Sequence, residues 1–366
     1  MTFFILGSHP ELSRAEIEAV LGRKPVVANR LGILVLDDVE ENVSVLQERL
    51  AGTIKIGQII GEMKDWNEKE ATDLIATFAC EAVGKNKISF GMSAYGLERE
   101  AYAVGKAVKA QLKSTDRPVR FVTSKEPTLS SVIVQETGLL SSGGEFIIMQ
   151  FADRILIGQT ETVQDYKAWS DRDYGRPSRN AKAGMLPPKL ARLMINLTGV
   201  EPNGKTILDP FCGSGTVLAE AMLMGFSNVI GSDISQKAID DTSRNLTWLK
   251  DHVSMNASVP MLLVHDARSL GEVVKNPVDV IVTETFLGEP KTRPLSEREF
   301  VQIKKELLLT YESSFRTLST LLKPGGTMVL AVPAFLVGHE YRRLELSAVF
   351  LSLGFGIYMY ASHFSL

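Results

Sequence analysis

The segment ILDPFCGSGTVLAEAML, Ile207 to Leu223, places an acid after a short apolar run, then two glycines, then a stretch rich in Ala and Leu. Read as strand, turn and helix, it sets Gly213 and Gly215 where the backbone must bend tightly and approach a ligand closely. The free N–H groups of the helix start then face outward at the C-terminal end of the strand. Such a loop is also an ordinary strand-to-helix turn, so the next two apolar runs matter. NVIGSDIS ends in Asp233, about 20 residues past the loop, where a carboxylate can accept both hydroxyls of a ribose. LLVHDAR carries Asp266, where a carboxylate can bond an adenine amine. Each acid singly suits a helix cap. Successive strand ends that each close on an acid point to a nucleoside-containing cofactor. The loop itself carries no GK[ST], and its glycines are spaced GSG rather than G-x-G-x-x-G, which argues against a P-loop ATPase and a dehydrogenase.

These residues need a scaffold of alternating strands and helices. From Gly184 onward the chain reads TILDPF, glycine turn and helix, NVIGSDI, helix, LLVHDA, VDVIVTE, a long helix ending at Lys323, and GTMVLAVPAF. Repeated βα units imply a mostly parallel sheet with helices on both faces, an α/β fold. The first 165 residues read as a separate α+β domain. FFIL, GILVLDD, KISFGMSAYG, VRFVTS, SVIVQE and EFIIMQF have strand character. LSRAEIEAVLG and REAYAVGKAVKAQLKS have helical spacing, the first with Ser13 as a possible cap and Gly22 as its stop. Residues 166–183 form a basic linker, and 184–366 the second domain.

Composition narrows the class. The 366 residues are 45% hydrophobic and 23% charged, as in soluble globular proteins. Cys80 and Cys212 are too few for a disulfide framework or a cysteine-rich zinc site, and no metal is expected. The N-terminus has neither a basic start nor a long apolar stretch, so a cytoplasmic location is the default expectation. The net charge of −3 excludes a generally basic nucleic-acid binder. Between Tyr166 and Val200, however, Lys167, Arg172, Arg176, Arg179, Lys182, Lys189 and Arg192 face only Asp171 and Asp173. Such a stripe either grips a phosphate backbone or is simply solvated.

DPFCGSGTVLAEA resembles the S-adenosylmethionine (SAM)-binding motif of amino-methyltransferases acting on nucleic acids. RPSRNAKAGMLPPKLARLMINLTG, Arg176 to Gly199, resembles the tRNA guanine-10 N2-methyltransferase family of archaea and eukaryotes. FFILGSHPELSRAEIEAVLG and RFVTSKEPTLSSVIVQETGLL are also similar to that family, in its N-terminal ferredoxin-like piece and THUMP RNA-binding domain. The resemblance implies a Rossmann-like C-terminal domain with a mostly parallel seven-stranded sheet. It implies that Asp209, Phe211, Gly213, Gly215 and Thr216 shape the pocket for the methionine part of SAM. Asp233 and Ile234 would hold the ribose side, and Asp266 and Ala267 the adenine, with Leu186 and Lys189 closing the far wall. Lys167, Arg172, Arg176 and Arg179 would hold RNA.

The family's catalytic motif, [Asp/Asn/Ser]-Pro-Pro-[Tyr/Phe], belongs at the end of the fourth strand. An exocyclic base amine is a poor nucleophile, because its lone pair is delocalised into the ring. A side-chain oxygen and a backbone carbonyl accept its hydrogens, an aromatic ring stacks on the base, and prolines preorganise the loop. Here VDVIV runs into Thr283-Glu284-Thr285-Phe286-Leu287-Gly288, with no proline pair. One register gives Thr283 the acid position and Phe286 the aromatic one; the other gives these positions to Glu284 and Leu287. The first is preferred because it retains a ring, with Glu284 and Thr285 beside it. The implied function is SAM-dependent methylation of the N2 amine of a guanine in tRNA. The alternatives are another RNA base (a ribosomal guanine or adenine N6) and a non-catalytic RNA- or SAM-binding protein. Some relatives work with a small zinc-binding activator protein.

Overall fold

The computed structural model describes residues 1–30, 32–81, 87–179, 185–253, 258–288, 293–357 and 359. Lys182, Gly184 and the expected boundary at 183/184 lie outside the described residues. The chain divides into two compact units, Met1–Ala168 and Trp169–Leu366.

The first unit contains, in order, β1 (Thr2–Leu6), α1 (Pro10–Leu21), β2 (Val26–Arg30), β3 (Ile33–Leu36), α2 (Val43–Arg49), β4 (Thr53–Met63), α3 (Glu68–Glu81), β5 (Ile88–Tyr95), α4 (Glu98–Leu112), β6 (Val119–Val122), α5 (Ser131–Glu136), β7 (Gly143–Gln150) and β8 (Ile155–Val163). Its strands make one eight-stranded sheet in the order β2-β3-β1-β4-β8-β7-β5-β6. Strand alternation sends Phe4 and Leu6 toward the core shared with Ile17 and Leu46, and Phe3 and Ile5 toward Ile147, Met149 and Leu156. Helices α3 and α4 cover β5, β7 and β8 through Ile75, Val104, Phe90, Phe146 and Ile157.

A buried polar network crosses the middle of this sheet. Lys55 on β4 pairs with Glu145 on β7, and its Nζ also donates to the Leu129 carbonyl at 2.6 Å. Ser93 on β5 and Thr160 on β8 donate to the same carboxylate at 2.5 and 2.8 Å. Four neighbouring strands each contribute one member, so a buried charge that would be costly alone is fully partnered.

Two local readings change. SVIVQE is helix α5, because the Ser130 side chain accepts from the Ile133 amide at 3.2 Å and caps it, overriding the β-preference of its branched residues. Ser13 is not a cap: α1 begins at Pro10, and Ser13 is buried inside it, donating to the His9 carbonyl at 3.0 Å. The linker expected at 166–183 holds a helix, α6 (Tyr166–Tyr174), which spans the boundary between the units.

The second unit continues with α7 (Pro188–Asn196), β9 (Thr206–Asp209), α8 (Thr216–Met224), β10 (Asn228–Asp233), α9 (Gln236–Val253), β11 (Met261–Val264), β12 (Val278–Glu284), α10 (Glu297–Leu321), β13 (Leu322–Ala331), β14 (Ala334–Val337), β15 (Glu340–Arg343) and α11 (Ser347–Ser352). The sheet order is β11-β10-β9-β12-β13, all parallel. Among the described residues it has five strands rather than the seven implied; β14 and β15 pair antiparallel on their own. Val280 and Val282 of β12 pack with α7 and α8, whereas Val278 and Ile281 meet Leu307, Tyr311, Phe315 and Leu318 of α10. That places helices on both faces. Among the described residues no helix is long and apolar enough to cross a membrane.

Candidate active site at the carboxyl ends of the parallel strands

Strand β9 lies between β10 and β12, and the chain runs outward from it in both directions. A crevice at such a switch point, beyond the carboxyl ends, is where open α/β sheets bind ligands. Three of these ends carry acids: Asp209 on β9, Asp233 on β10 and Glu284 on β12.

Asp209 is buried, and its Oδ1 accepts from the Phe211 amide at 3.2 Å and from the Thr283 hydroxyl at 2.6 Å. Burial pushes its carboxyl up to about 7, with Asp233 and Glu284 adding to the rise and the two hydrogen bonds opposing it. The loop after it is fastened to β10, since the Cys212 amide donates to the Ser232 carbonyl at 2.9 Å. Cys212 itself is buried and its thiol is pushed strongly up by burial, so it fills space rather than attacking a substrate. Gly213 has φ +53°, and among the described residues a Cβ there would meet nothing within 4 Å. The Gly213 amide donates to Asp233 Oδ2 at 3.1 Å, and the Ser235 amide to Oδ1 at 2.9 Å. The Asp233 carboxylate is thereby held in one orientation. Beside it, Ile234 is 69% exposed, an apolar side chain that a flat ligand would cover.

The expected adenine side lies beyond β11. Asp266 caps the short helix Ala267–Glu272 and is gripped by its neighbour Arg268, Nε at 3.0 Å, which holds the carboxyl below its usual range. Ala267 is buried under it. Leu186 is a core residue packed with α7 and α8, and Phe211 is partly buried against the α10 cluster. Lys189 is not brought to the strand ends: its Nζ lies 5.7 Å from the centre of the Trp169 ring.

The loop after β12 corrects the preferred register. Thr283 is fully buried and its hydroxyl is bound to Asp209, so it presents no acceptor to a base. Thr285 is buried too; its amide and hydroxyl bond the Ala331 carbonyl at 3.0 and 3.1 Å. Glu284 points to the other face, only partly covered, with no hydrogen-bond partner among the described residues. Burial raises its carboxyl above the usual value. Phe286 is 54% exposed. The residue missed from the sequence is Tyr311 on α10. Its buried hydroxyl lies 2.9 Å from Thr285 Oγ1 and donates to the Phe286 carbonyl, and burial pushes its pKa up to about 12. Tyr311 and the Ala331 carbonyl together fix the loop in the absence of prolines. A tyrosine in the apolar stripe Leu307, Tyr311, Phe315, Leu318 was the available signal, because a buried phenol needs a partner.

The basic stripe also divides. Arg172 Nε donates to Glu220 Oε1 at 2.8 Å, and Arg192 pairs with Oε2 at 2.7 Å. Both guanidinium groups lie over Trp169. Arg176 is buried, and its Nη1 donates to Thr216 Oγ1 at 2.6 Å. Arg172 and Arg176 are therefore internal, not an RNA surface; the buried acid Glu220 in an Ala/Leu-rich helix demands cations. Lys167 is exposed and pairs with Glu136 at 2.7 Å, and exposed Arg179 lies over Tyr174. Among the described residues no group of three or more His, Cys, Asp or Glu side chains is arranged to hold a metal ion.

An all-parallel sheet with a glycine loop after its central strand and acids at adjoining strand ends defines an α/β methyltransferase domain. The RMKL-like methyltransferase-domain family matches residues 176–322, and a DNA methylase family matches residues 62–244. The tRNA (guanine(10)-N2)-dimethyltransferase of Methanothermobacter thermautotrophicus is 29% identical over 92% of this chain and 89% of its own. A protein of Methanothermococcus thermolithotrophicus, named "Probable tRNA (guanine(10)-N2)-dimethyltransferase", is 32% identical over 39% of this chain and 78% of its own. The crystal structure of TrmN from Thermus thermophilus shares the fold at TM-score 0.52 and 18% identity, over 93% of this chain and 97% of that one. A candidate methyltransferase crystallised with S-adenosylhomocysteine (SAH) does so at TM-score 0.50 and 13% identity, over 90% and 89%. The chain belongs to the methylase family that these matches describe, that of the tRNA (guanine(10)-N2)-dimethyltransferases.

Proposed function

We propose that this chain is a SAM-dependent methyltransferase acting on the N2 amine of a guanine in tRNA. The observation that carries the reading is the partly covered Glu284 carboxylate, without a hydrogen-bond partner among the described residues. It closes β12 beside Asp209 and stands two residues before the exposed ring of Phe286. Glu284 takes the acceptor role first given to Thr283. It accepts a hydrogen bond from the guanine amine, orients the lone pair, and takes up the proton lost on transfer. Phe286 stacks on the base once it has left its helix. SAM supplies an electrophilic methyl group on a sulfonium. Asp233 binds the ribose hydroxyls, with Ile234 against the adenine. Asp209 faces the methionyl ammonium, a cation that would hold its carboxylate ionised. Leu186 and Ala267 contribute packing to these walls.

The first unit reads as the ferredoxin-like and THUMP portion, and its RNA surface is assigned to α4. Arg99, Tyr102, Lys106, Lys109 and Lys113 recur on one face of that helix and the turn after it, with Lys106 Nζ 4.9 Å from the centre of the Tyr102 ring. Arg99, Tyr102, Lys106 and Lys113 are exposed. Cations interleaved with an aromatic suit a phosphate backbone better than the internal Arg172 and Arg176 do. A cytoplasmic location, where tRNA is modified, accords with this reading.

The test is methyl-labelled SAM with the purified chain and tRNA lacking methyl groups, followed by nucleoside analysis. Labelled N2-methylguanosine or N2,N2-dimethylguanosine is expected from the chain alone. Label in an adenosine, or only in ribosomal RNA, rejects the substrate assignment. Activity appearing only after addition of a zinc-binding activator protein would establish that partner.

A further inference from the structure

Hairpin β14–β15 leaves the parallel sheet at the candidate site. Strand β13 ends at Ala331, the Cα partner of Glu284, and β14 begins at Ala334. Ala331 also fixes the loop after β12, since its carbonyl accepts from the Thr285 amide at 3.0 Å. The far end of the segment carrying Phe286 is tied to the same hairpin. Leu295 bridges to Val337; its amide donates to the Leu336 carbonyl at 2.7 Å, and its carbonyl accepts from the Gly338 amide at 3.1 Å. The hairpin is thus attached to the chain on both sides of Phe286.

The two faces of this hairpin differ. Residues directly opposite in an antiparallel pair share a face, and so do alternate residues along a strand. The register Phe335↔Arg342 and Val337↔Glu340 therefore puts these four on one face. There the Phe335 ring lies 6.0 Å from the Phe300 ring, centre to centre, Val337 is buried with Leu295 and Phe300, and Arg342 Nη1 donates to Glu297 at 2.9 Å. The register Ala334↔Arg343 and Leu336↔Tyr341 assigns the others to the opposite face. On that face Tyr341 is 55% exposed, and Arg343 is exposed as well. Glu340 and Glu345 balance Arg342 and Arg343, so the hairpin carries no net field with which to grip a duplex by its backbone. What its outer face offers is one aromatic ring and one guanidinium, the means by which a single unstacked base and its phosphate are held.

We propose that the outer face of hairpin β14–β15 binds the nucleotide next to the target guanosine, with Tyr341 stacking on its base and Arg343 on its phosphate. This rests on the reading of Glu284 and Phe286 as the base-holding loop. A base withdrawn from its helix leaves its neighbour unstacked on one face, and a ring supplied by the enzyme restores that contact. The hairpin is placed to supply it, because its root adjoins the residue opposite Glu284. Tyr341 and Arg343 touch RNA outside the target base and take no part in the transfer itself; they select its context.

The experiment measures methyl transfer by the full chain to synthetic tRNAs, one intact and two abasic at the nucleotide on either side of the methylated guanosine. With the intact tRNA, Tyr341→Ala raises KM about tenfold, the worth of one stacked base, while SAM affinity by calorimetry is unmoved; Tyr341→Phe, which keeps the ring, recovers most of the loss. With one of the abasic tRNAs the wild type itself shows the raised KM, and Tyr341→Ala adds nothing to it. Arg343→Gln weakens tRNA binding a few-fold and lowers the slope of log affinity against log salt by about one. An equal rise in KM on all the tRNAs overturns the proposal, because a merely structural role for Tyr341 is indifferent to which base is missing. An unchanged KM with the intact tRNA overturns it too. Failure of the wild type to methylate the intact tRNA overturns the reading of Glu284 and Phe286 instead, so the two failures are distinguishable.

Discussion

On one side of β9, the crevice is made of backbone amides and the acids they orient. Gly213 and Ser235 aim Asp233, the Phe211 amide holds Asp209, and α8 presents its amides. On the other side the Glu284 carboxylate has no hydrogen-bond partner among the described residues, and the loop behind it is fixed by Tyr311 and Ala331. A ligand that is always the same can be read by backbone geometry, which tolerates little change of sequence. A base presented by a macromolecule is met by a few side chains, and their support can be rebuilt in several ways.

The sharpest way to break this division is Glu284→Ala. Methyl transfer should fall about 10³-fold, the range of a lost general base, while SAM affinity measured by calorimetry stays within a few-fold. A loss under tenfold would remove Glu284 from the chemistry and return Thr283 to consideration. Asp233→Ala should do the converse, weakening SAM binding about 100-fold through two lost charge-assisted bonds, and transfer should recover at saturating SAM. Phe286→Ala should raise the KM for tRNA about tenfold, the worth of one base-stacking contact, with SAM binding untouched.

A smaller effect concerns Asp209. Its folded-state value of about 7 lies above the ordinary carboxylate value of about 4, because burial favours the neutral acid. The native state therefore keeps a proton that the unfolded chain has already lost. Stability of the ligand-free protein from this group is complete below about pH 4 and declines as pH rises toward about 7. Asp209→Asn removes that decline, so its melting temperature relative to wild type should be several degrees higher at pH 8 than at pH 4. No change in the difference across that range would mean that Asp209 is ionised in the free protein. The least effect is expected of Tyr311→Phe, which loses about 1 kcal/mol of hydrogen bonding and should lower kcat a few-fold by loosening the Phe286 loop.

The same division governs what could be read from sequence. The glycine loop and the acids at 209 and 233 were legible because strand, turn and helix fix their places within a few residues. The β12 loop was not, since its support comes from Tyr311, 25 residues away on α10, and from Ala331 on β13. The basic residues at 172 and 176 misled for a related reason: charge density says nothing of burial, and the partner that draws Arg172 inward, Glu220, is 48 residues along the chain. Most strands of the first unit showed their alternation, but α5 did not, because one capping serine outweighs a run of branched residues.

Strand β8 has a consequence for how the protein is made. It is the last strand of its sheet in sequence and one of the middle ones in space, inserted between β4 and β7. Any sheet formed by the earlier strands alone leaves β4 and β7 each with an open, hydrogen-bonding edge until Ile155–Val163 joins them. The Glu145 carboxylate waits with them, short of its Thr160 donor. The sheet of the first unit is thus completed by the last of its strands to be synthesised, which closes two edges in one step.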